Sequence, residues 1–322
     1  MRTRKALNLS LWGEDPFRDV AGNARLNWSY SRRESVDQCL RRYFYQYYGG
    51  CIPDAALRAE VKSLREIKNR HLRTGELLHL AVGTYFKKKK LGTDLPSNWL
   101  QSWVRKLFAA DQQYSLSIRS GGARSTEQYP PTLLDEILLA EDSGDELRAA
   151  TDQLIRAIQR FFADDVFKPF RILGSKQGSL IEHKLSLTGY PVPVSGKLDL
   201  AAEDGNSVTI VDWKLGCASD GGAESLQLAT YGLWAQATYN LPAEQIRIVK
   251  AHLSDGAVVD FKADDEAFAN ARVRIHQDLE RMSILHGYGE AGTVDAFTPL
   301  PHAKVCRLCP YRKICPEGKK HD

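Results

Sequence analysis

Apolar positions in the first half of the chain recur at helical intervals. Val36, Leu40, Tyr43, Phe44 and Tyr47 follow one another at helical spacings, and Ser31 with Glu34 has capping-box spacing, so residues 32–47 are predicted to form one amphipathic helix. Cys39 lies beside that apolar stripe. Further helices are expected over 74–88, 97–117 and 146–166, with Ser97 as the N-cap of the helix it opens. The stretch 118–145, containing Gly121-Gly122 and Pro130-Pro131, reads as a loop. From residue 170 onward the texture changes. Runs rich in β-formers appear at 179–187, 192–201 and 207–214, with the hairpin signal Glu203-Asp-Gly-Asn-Ser207 between the last two. A helix over 224–239, a strand pair at 246–253 and 257–261 around Ser254-Asp-Gly256, and a helix over 264–286 complete the order. This pattern predicts an α/β fold: one mixed sheet framed by helices of the N-terminal half and closed by the tail from Pro299.

Composition narrows the class. A chain of 322 residues makes one large domain or two modest ones. Apolar residues at 43% and charged residues at 26% belong to an ordinary globular protein and exclude disordered, collagen-like and rod-like chains. The net charge is only +4, so any basic surface for a polyanion has to be local. No window approaches the roughly 20 apolar residues of a membrane span. The stretch after Met1-Arg-Thr-Arg-Lys5 is interrupted by Asn8 and Ser10, unlike an export signal. Six cysteines are too few for a disulfide scaffold, so a cytoplasmic location is expected, where clustered thiols favour metal ligation. No P-loop motif is present, so an ATP-driven partner would be another chain.

The candidate chemistry begins at Gly196-Lys-Leu-Asp199 and continues, after a turn, with Val208-Thr-Ile-Val-Asp212-Trp-Lys214. Strand alternation places Asp212 and Lys214 on one face and Val211 and Trp213 on the other, with Asp199 on the adjacent strand. Two carboxylates and a lysine at neighbouring strand ends suit a hard cation such as Mg²⁺ or Mn²⁺ between the acids. The ammonium then steadies a nucleophilic water or charge developing on a phosphate. Taken alone, the triplet fits a surface hairpin equally well, its solvated ion pairs each worth at most about 1 kcal/mol. Gln227 and Tyr231, four apart, share a face of the following helix. His79 lies in Gly75-Glu-Leu-Leu-His79-Leu-Ala-Val-Gly83, where small residues at both ends permit close packing. Each also has a plain structural reading: His79 and Tyr231 as core residues, Glu182 as a surface acid.

In order and combination these motifs resemble the PD-(D/E)XK nuclease superfamily. The similarity is to its RecB-like branch, which includes the CRISPR-associated exonucleases and the nuclease domains of AddAB-type helicase-nucleases. The resemblance covers most of the chain and rests on Gly-x-x-x-His79, Gly-Lys-Leu-Asp199, Asp212-Trp-Lys214 and Gln227-x-x-x-Tyr231. It implies a restriction-endonuclease-like sheet core, with His79, Asp199, Asp212 and the backbone carbonyl of Trp213 as metal ligands. It further implies that Lys214 assists catalysis and that Gln227 and Tyr231 position nucleic acid. Glu182 sits where many members carry an upstream acid.

Near the C-terminus Cys306-Arg-Leu-Cys309-Pro-Tyr-Arg-Lys-Ile-Cys315 supplies three thiols, and a tetrahedral site or a cubane cluster needs a fourth. Cys39, Cys51 and Cys217 are the candidates. Gln38-Cys39-Leu-Arg-Arg-Tyr-Phe-Tyr resembles the early cysteine segment of RecB-like nucleases carrying an iron–sulfur cluster. That resemblance implies a 4Fe-4S cluster on Cys39, Cys306, Cys309 and Cys315, with Cys51 and Cys217 spare; zinc fits four thiolates on chemistry alone. Arg32, Arg33, Arg41 and Arg42 accompany Tyr43, Phe44, Tyr45, Tyr47 and Tyr48, and the tail adds Lys304, Arg307, Arg312, Lys313, Lys319 and Lys320. Together they suggest a basic, aromatic-edged path for a single strand, with Arg41 and Arg42 as substrate contacts. The plain alternative is an aromatic core with a solvated charged rim. Lys87 to Lys90 reads as a solvated helix end, and the acidic stretch Asp135 to Glu146 as a segment kept away from DNA.

The expected division is an N-terminal extension (1–28), a helical region (29–167), a nuclease core (168–298) and a cysteine-rich tail (299–322). The expected function is a metal-dependent DNA nuclease, an exonuclease on single-stranded DNA or DNA ends, serving repair, recombination, phage defence or CRISPR adaptation. Helicase, integrase or defence proteins are its expected partners, and an oligomer is compatible with the sequence. Two rivals stand beside it: a DNA-end-binding or assembly subunit of such a complex, and a zinc-stabilised structure-specific endonuclease.

Overall fold

Ser29, in extended backbone, accepts a hydrogen bond from the Arg32 amide at 3.2 Å, and α1 (Tyr30–Gln38) therefore starts ahead of the Ser31–Glu34 pair. The single helix expected over 32–47 is two. Cys39 takes φ −170° and ψ 117°, ends α1, and α2 (Leu40–Tyr48) restarts beyond it. The cause is tertiary: the Leu300 amide approaches Cys39 Sγ at 3.5 Å, so a contact with the tail overrides a locally helical pattern. The computed structural model describes residues 25–127, 130–139, 144–218 and 225–321. The N-terminal segment on which the export-signal expectation rests lies outside them.

After α2 comes α3 (Ala55–Arg65), a helix the pattern analysis missed, capped by Asp54 on the Leu57 amide at 2.7 Å. Strand β1 (Ile67–Lys68) leads into α4 (Arg70–Lys90), capped by Asn69, and α5 (Ser97–Arg119) follows. Pro96 occupies the cap position of α5, so Ser97 is its first helical residue and not its cap. The stretch 118–145 is not all loop. It carries β2 (Leu133–Leu134), parallel to β1, and α6 (Asp135–Leu138). Buried pairing with distant cations explains this order. Asp135 receives both Arg312 nitrogens at 2.7 and 3.1 Å, and Glu136 accepts the Arg70 amide at 2.8 Å. Helices α7 (Gly144–Ala163) and α8 (Lys168–Gly174) precede the sheet.

Strands β3 (Leu180–Leu187), β4 (Val194–Asp204), β5 (Ser207–Lys214), β6 (Ile246–His252) and β7 (Val258–Phe261) form one sheet in sequence order. All neighbours are antiparallel except β5 and β6, which the helical crossover α9 (Ser225–Tyr239) makes parallel. The chain continues through α10 (Asp265–Glu290) and the short α11 (Ala303–Arg307).

Alternation along the strands feeds two cores. Leu198, Val208, Ile210 and Ile248 join residues of α2, α9 and α10, whereas Leu200, Val211, Trp213 and Val249 join α4, α5 and α7. Trp213, 1% exposed, meets Phe86, Phe161, Phe167 and Phe170, which anchors β5 from behind. Tyr43, Phe44, Tyr45 and Tyr48 lie in the first core and do not edge a strand path. Arg32 is buried too, bonded to Tyr43, Tyr48 and Asn27, and Arg312 is closed off by Asp135. These two arginines are structural cations because burial requires a partner for each charge. Among the described residues no helix is long and apolar enough to cross a membrane.

Candidate active site

Leu198 and Leu200 are two apart on β4 yet enter opposite cores, and on β3 Ile181 packs on the second core while Leu185 packs on the first. The side-chain alternation therefore slips in both strands at the same level. Ile181 pairs with Leu200 and His183 with Leu198, and between them Glu182 stands opposite Asp199. Glu182 has φ +52°, a left-handed conformation seldom taken by a residue with a long side chain. The slip sets both carboxylates at the seam between the cores. Helix α4 reaches the same seam with His79 and, one turn on, Gly83. A methyl group added at Gly83 would lie 2.9 Å from Glu182 Cγ, so the glycine is what lets the helix close onto the acid.

His79 Nδ1 lies 3.0 Å from Asp199 Oδ1 and 3.9 Å from Glu182 Oε1. One ligand atom from each of His79, Glu182 and Asp199 falls within 4.8 Å of the others, a spacing one cation can bridge. Glu182, which the sequence ranked lowest, is thus a central member, its side chain 7% exposed and its other oxygen paired with Lys197. Asp199 Oδ2 accepts the Trp213 amide at 2.8 Å, which ties β4 to β5 at the site. Asp212 is held differently. Its Oδ2 is buried without a well-aligned hydrogen bond, and the Lys214 ammonium stands 2.8 Å away as an ion pair. Lys214 also reaches Gln227 Oε1 at 3.4 Å, Gln227 donates to the Tyr231 hydroxyl at 2.9 Å, and that hydroxyl donates to the Lys197 carbonyl at 2.9 Å. The nominated His79, Asp199, Asp212, Lys214, Gln227 and Tyr231 form one connected network with Glu182.

Burial alone would lower the His79 pKa, but the Asp199 charge and hydrogen bond, with Glu182 and Asp212 behind them, raise it to about 9. Burial likewise opposes ionisation of Asp199, yet the His79 cation, the Trp213 amide and Lys214 hold its pKa below the ordinary value. Asp212 goes the other way, raised by burial and by the Asp199 charge against the pull of Lys214. Tyr231 is raised well above its usual value, by burial and then by Asp212 and Asp199, and stays a neutral hydroxyl. A buried carboxylate oxygen without a good donor and an N,O,O donor set fit a hard divalent cation.

Sequence reasoning missed Lys197, His252 and Asp255. Lys197 is two residues from Asp199 on β4, but its pairing with Glu182 is made across to β3, at the level where alternation slips, and no local pattern signals it. His252 Nδ1 meets the Gly216 carbonyl at 3.1 Å and Asp255 accepts the Ala218 amide at 2.8 Å; these contacts pin the segment after Lys214 and come from a distant turn.

The second cluster lies elsewhere. Cys39, Cys306, Cys309 and Cys315 line one small pocket with Arg41, Arg42 and Arg312, and Cys51 and Cys217 do not. Burial pushes the Cys309 thiol up to about 11. Tyr311 bonds Gln46 at 2.8 Å and Arg41 bonds the Phe297 carbonyl at 2.9 Å, joining the tail to α2. The donor set fits a group bound by four thiolates.

Comparison with solved structures gives distant likenesses. The crystal structure of SSO0001 shares 16% identity and a TM-score of 0.29, covering 55% of this chain and 79% of that one. A candidate exonuclease from Eubacterium rectale shares 13% identity and a TM-score of 0.32, covering 65% and 81% respectively. No significant match is found among curated proteins. The sequence profile of the PD-(D/E)XK nuclease superfamily matches residues 27–316, a span that contains both the acidic seam and the four pocket cysteines. By that match the chain belongs to the PD-(D/E)XK nuclease superfamily.

Proposed function

We propose that the protein is a metal-dependent deoxyribonuclease that hydrolyses phosphodiester bonds as an exonuclease on single-stranded DNA or DNA ends. The observation that carries this reading is the meeting of His79, Glu182 and Asp199 within 4.8 Å, beside the Asp212–Lys214 pair. His79, Glu182 and Asp199 hold Mg²⁺ or Mn²⁺, with Asp212 and the Trp213 carbonyl as further donors. A bound cation of this kind neutralises phosphate charge and acidifies water.

The chain's own groups do the rest. Asp199 stays ionised because its pKa is depressed. Lys214 orients the attacking water or steadies charge on the phosphate, its ammonium fixed between Asp212 and Gln227. Gln227 and the neutral Tyr231 hydroxyl contact the substrate and hold the β4 backbone at the Lys197 carbonyl. Arg41 and Arg42 contact the strand from the cysteine side. The cysteine pocket carries a 4Fe-4S cluster that clasps the tail to the α1–α2 break; a colourless, zinc-containing preparation would replace it with zinc. The four-part division of the chain and a helicase, integrase or defence partner belong to the same reading.

Digestion of end-labelled single- and double-stranded DNA with Mn²⁺, followed in time, tests the proposal. Stepwise shortening from labelled ends is expected and chelator stops it. Cleavage by Asp212→Ala at the wild-type rate would overturn the assignment.

A further inference from the structure

The lysine run at the end of α4 does not behave as a uniform solvated end. Lys89 pairs with Asp94, and Lys90 donates to the Ser179 carbonyl at 2.6 Å. Lys87 is different. It lies on the face of α4 that carries His79 and Gly83, at four-residue steps, and so points along the seam. It is half-buried, within electrostatic reach of both Glu182 and Lys197, and among the described residues no acid comes within ion-pair distance of it. Lys197, paired with Glu182, stands directly across the β3–β4 ladder from exposed Lys184. Cross-strand partners project to the same side of a sheet.

Lys87 and Lys197 thus share the Glu182 carboxylate on the α4 side of the acidic seam, and Lys184 stands beside Lys197. A lysine partly withdrawn from water beside another lysine is costly unless an anion arrives. From His79 to Lys87 is eight residues of helix, about 12 Å, a length that accommodates roughly three phosphates of a stacked strand at about 3.4 Å each. Charge complementarity and continuity with the acids select one occupant, the sugar–phosphate backbone of the strand being cut. We propose that Lys87, Lys197 and Lys184 form a phosphate track that binds the DNA strand on the α4 side of the cleavage site. This rests on the nuclease reading and adds to it the route of the strand. Lys197 has a second duty, holding Glu182 in place, so Lys87 and Lys184 are the clean probes.

The test uses a fluorescein-labelled single-stranded oligonucleotide and the full chain. Binding is followed by anisotropy against salt, and cleavage by steady-state kinetics, for wild type, Lys87→Gln, Lys184→Gln and Lys87→Arg. Each glutamine variant should weaken binding about fivefold, lower the salt slope by about 0.7 and raise KM correspondingly, with kcat held within about twofold. Lys87→Arg should bind like wild type. Lys184 is exposed, so its variant keeps the test open if Lys87→Gln folds poorly. If wild type cleaves DNA but the Lys184 variant and every folded Lys87 variant keep its KM and salt slope, or lose kcat instead, the track is wrong and the nuclease reading survives. If wild type neither binds nor cleaves DNA, both fall together.

Discussion

The acidic seam and the cysteine pocket both gather residues from opposite ends of the fold, but different forces hold them. In the seam the functional groups hold one another: His79 against Asp199, Lys197 against Glu182, Lys214 against Asp212, and Tyr231 closing the circuit on β4. In the pocket the neighbours do the holding. Arg312 locks to Asp135, Tyr311 to Gln46 and Arg41 to the Phe297 carbonyl, while Cys39 Sγ meets the Leu300 amide. A site whose charges interlock is preorganised for chemistry, since little has to reorient when charge develops. A pocket framed by others serves to join chain segments. Substitution in the first should therefore cost rate, and in the second stability.

The largest effect expected is on rate. Lys214→Ala should lower kcat about 10³-fold, about 4 kcal/mol, with single-stranded DNA affinity changed less than about twofold; single-turnover cleavage and anisotropy read the two. Cys309→Ser should leave kcat per folded molecule near wild type, and a loss as large as that of Lys214→Ala would erase the distinction between the sites.

Next in size is the frame of the pocket. Arg312→Leu leaves the Asp135 carboxylate buried without its cation and should destabilise the protein by about 3 kcal/mol in urea unfolding. Gly83→Ala should cost about 1–2 kcal/mol through its clash with Glu182. Glu182→Ala should relieve that cost in a double-mutant cycle, and additive losses would show that the contact does not matter.

A further effect is with pH. Because the folded pKa of His79, about 9, exceeds the reference 6.5, its contribution to the stability of the metal-free protein is fully present below 6.5 and is lost as pH rises through 9. Thermal unfolding of wild type should show that decline, and His79→Gln should lack it. Cation affinity should move the opposite way, rising with pH up to about 9, because a coordinating imidazole is neutral.

Strand positions and the Asp212–Lys214 face were legible because alternation is a local rule, obeyed along β5. The same rule misleads at Glu182, where it fails through a left-handed residue that no pattern announces. The break at Cys39 was hidden for a related reason: its cause is Leu300, far along the chain. Arg32 and Arg312 resembled surface cations because their partners, Tyr43, Tyr48 and Asp135, become neighbours only in the folded chain. Lys87 was masked by the three lysines after it, whose partners differ from its own.

The kink at Cys39 also fixes an order of events during biosynthesis. Cys39 and Leu300 are separated by 261 positions, so at ribosomal speeds of about 5–20 residues per second the early thiol waits roughly 13 to 52 s for its companion segment to be made. During that interval the sulfur has no tail to shelter it from oxidants.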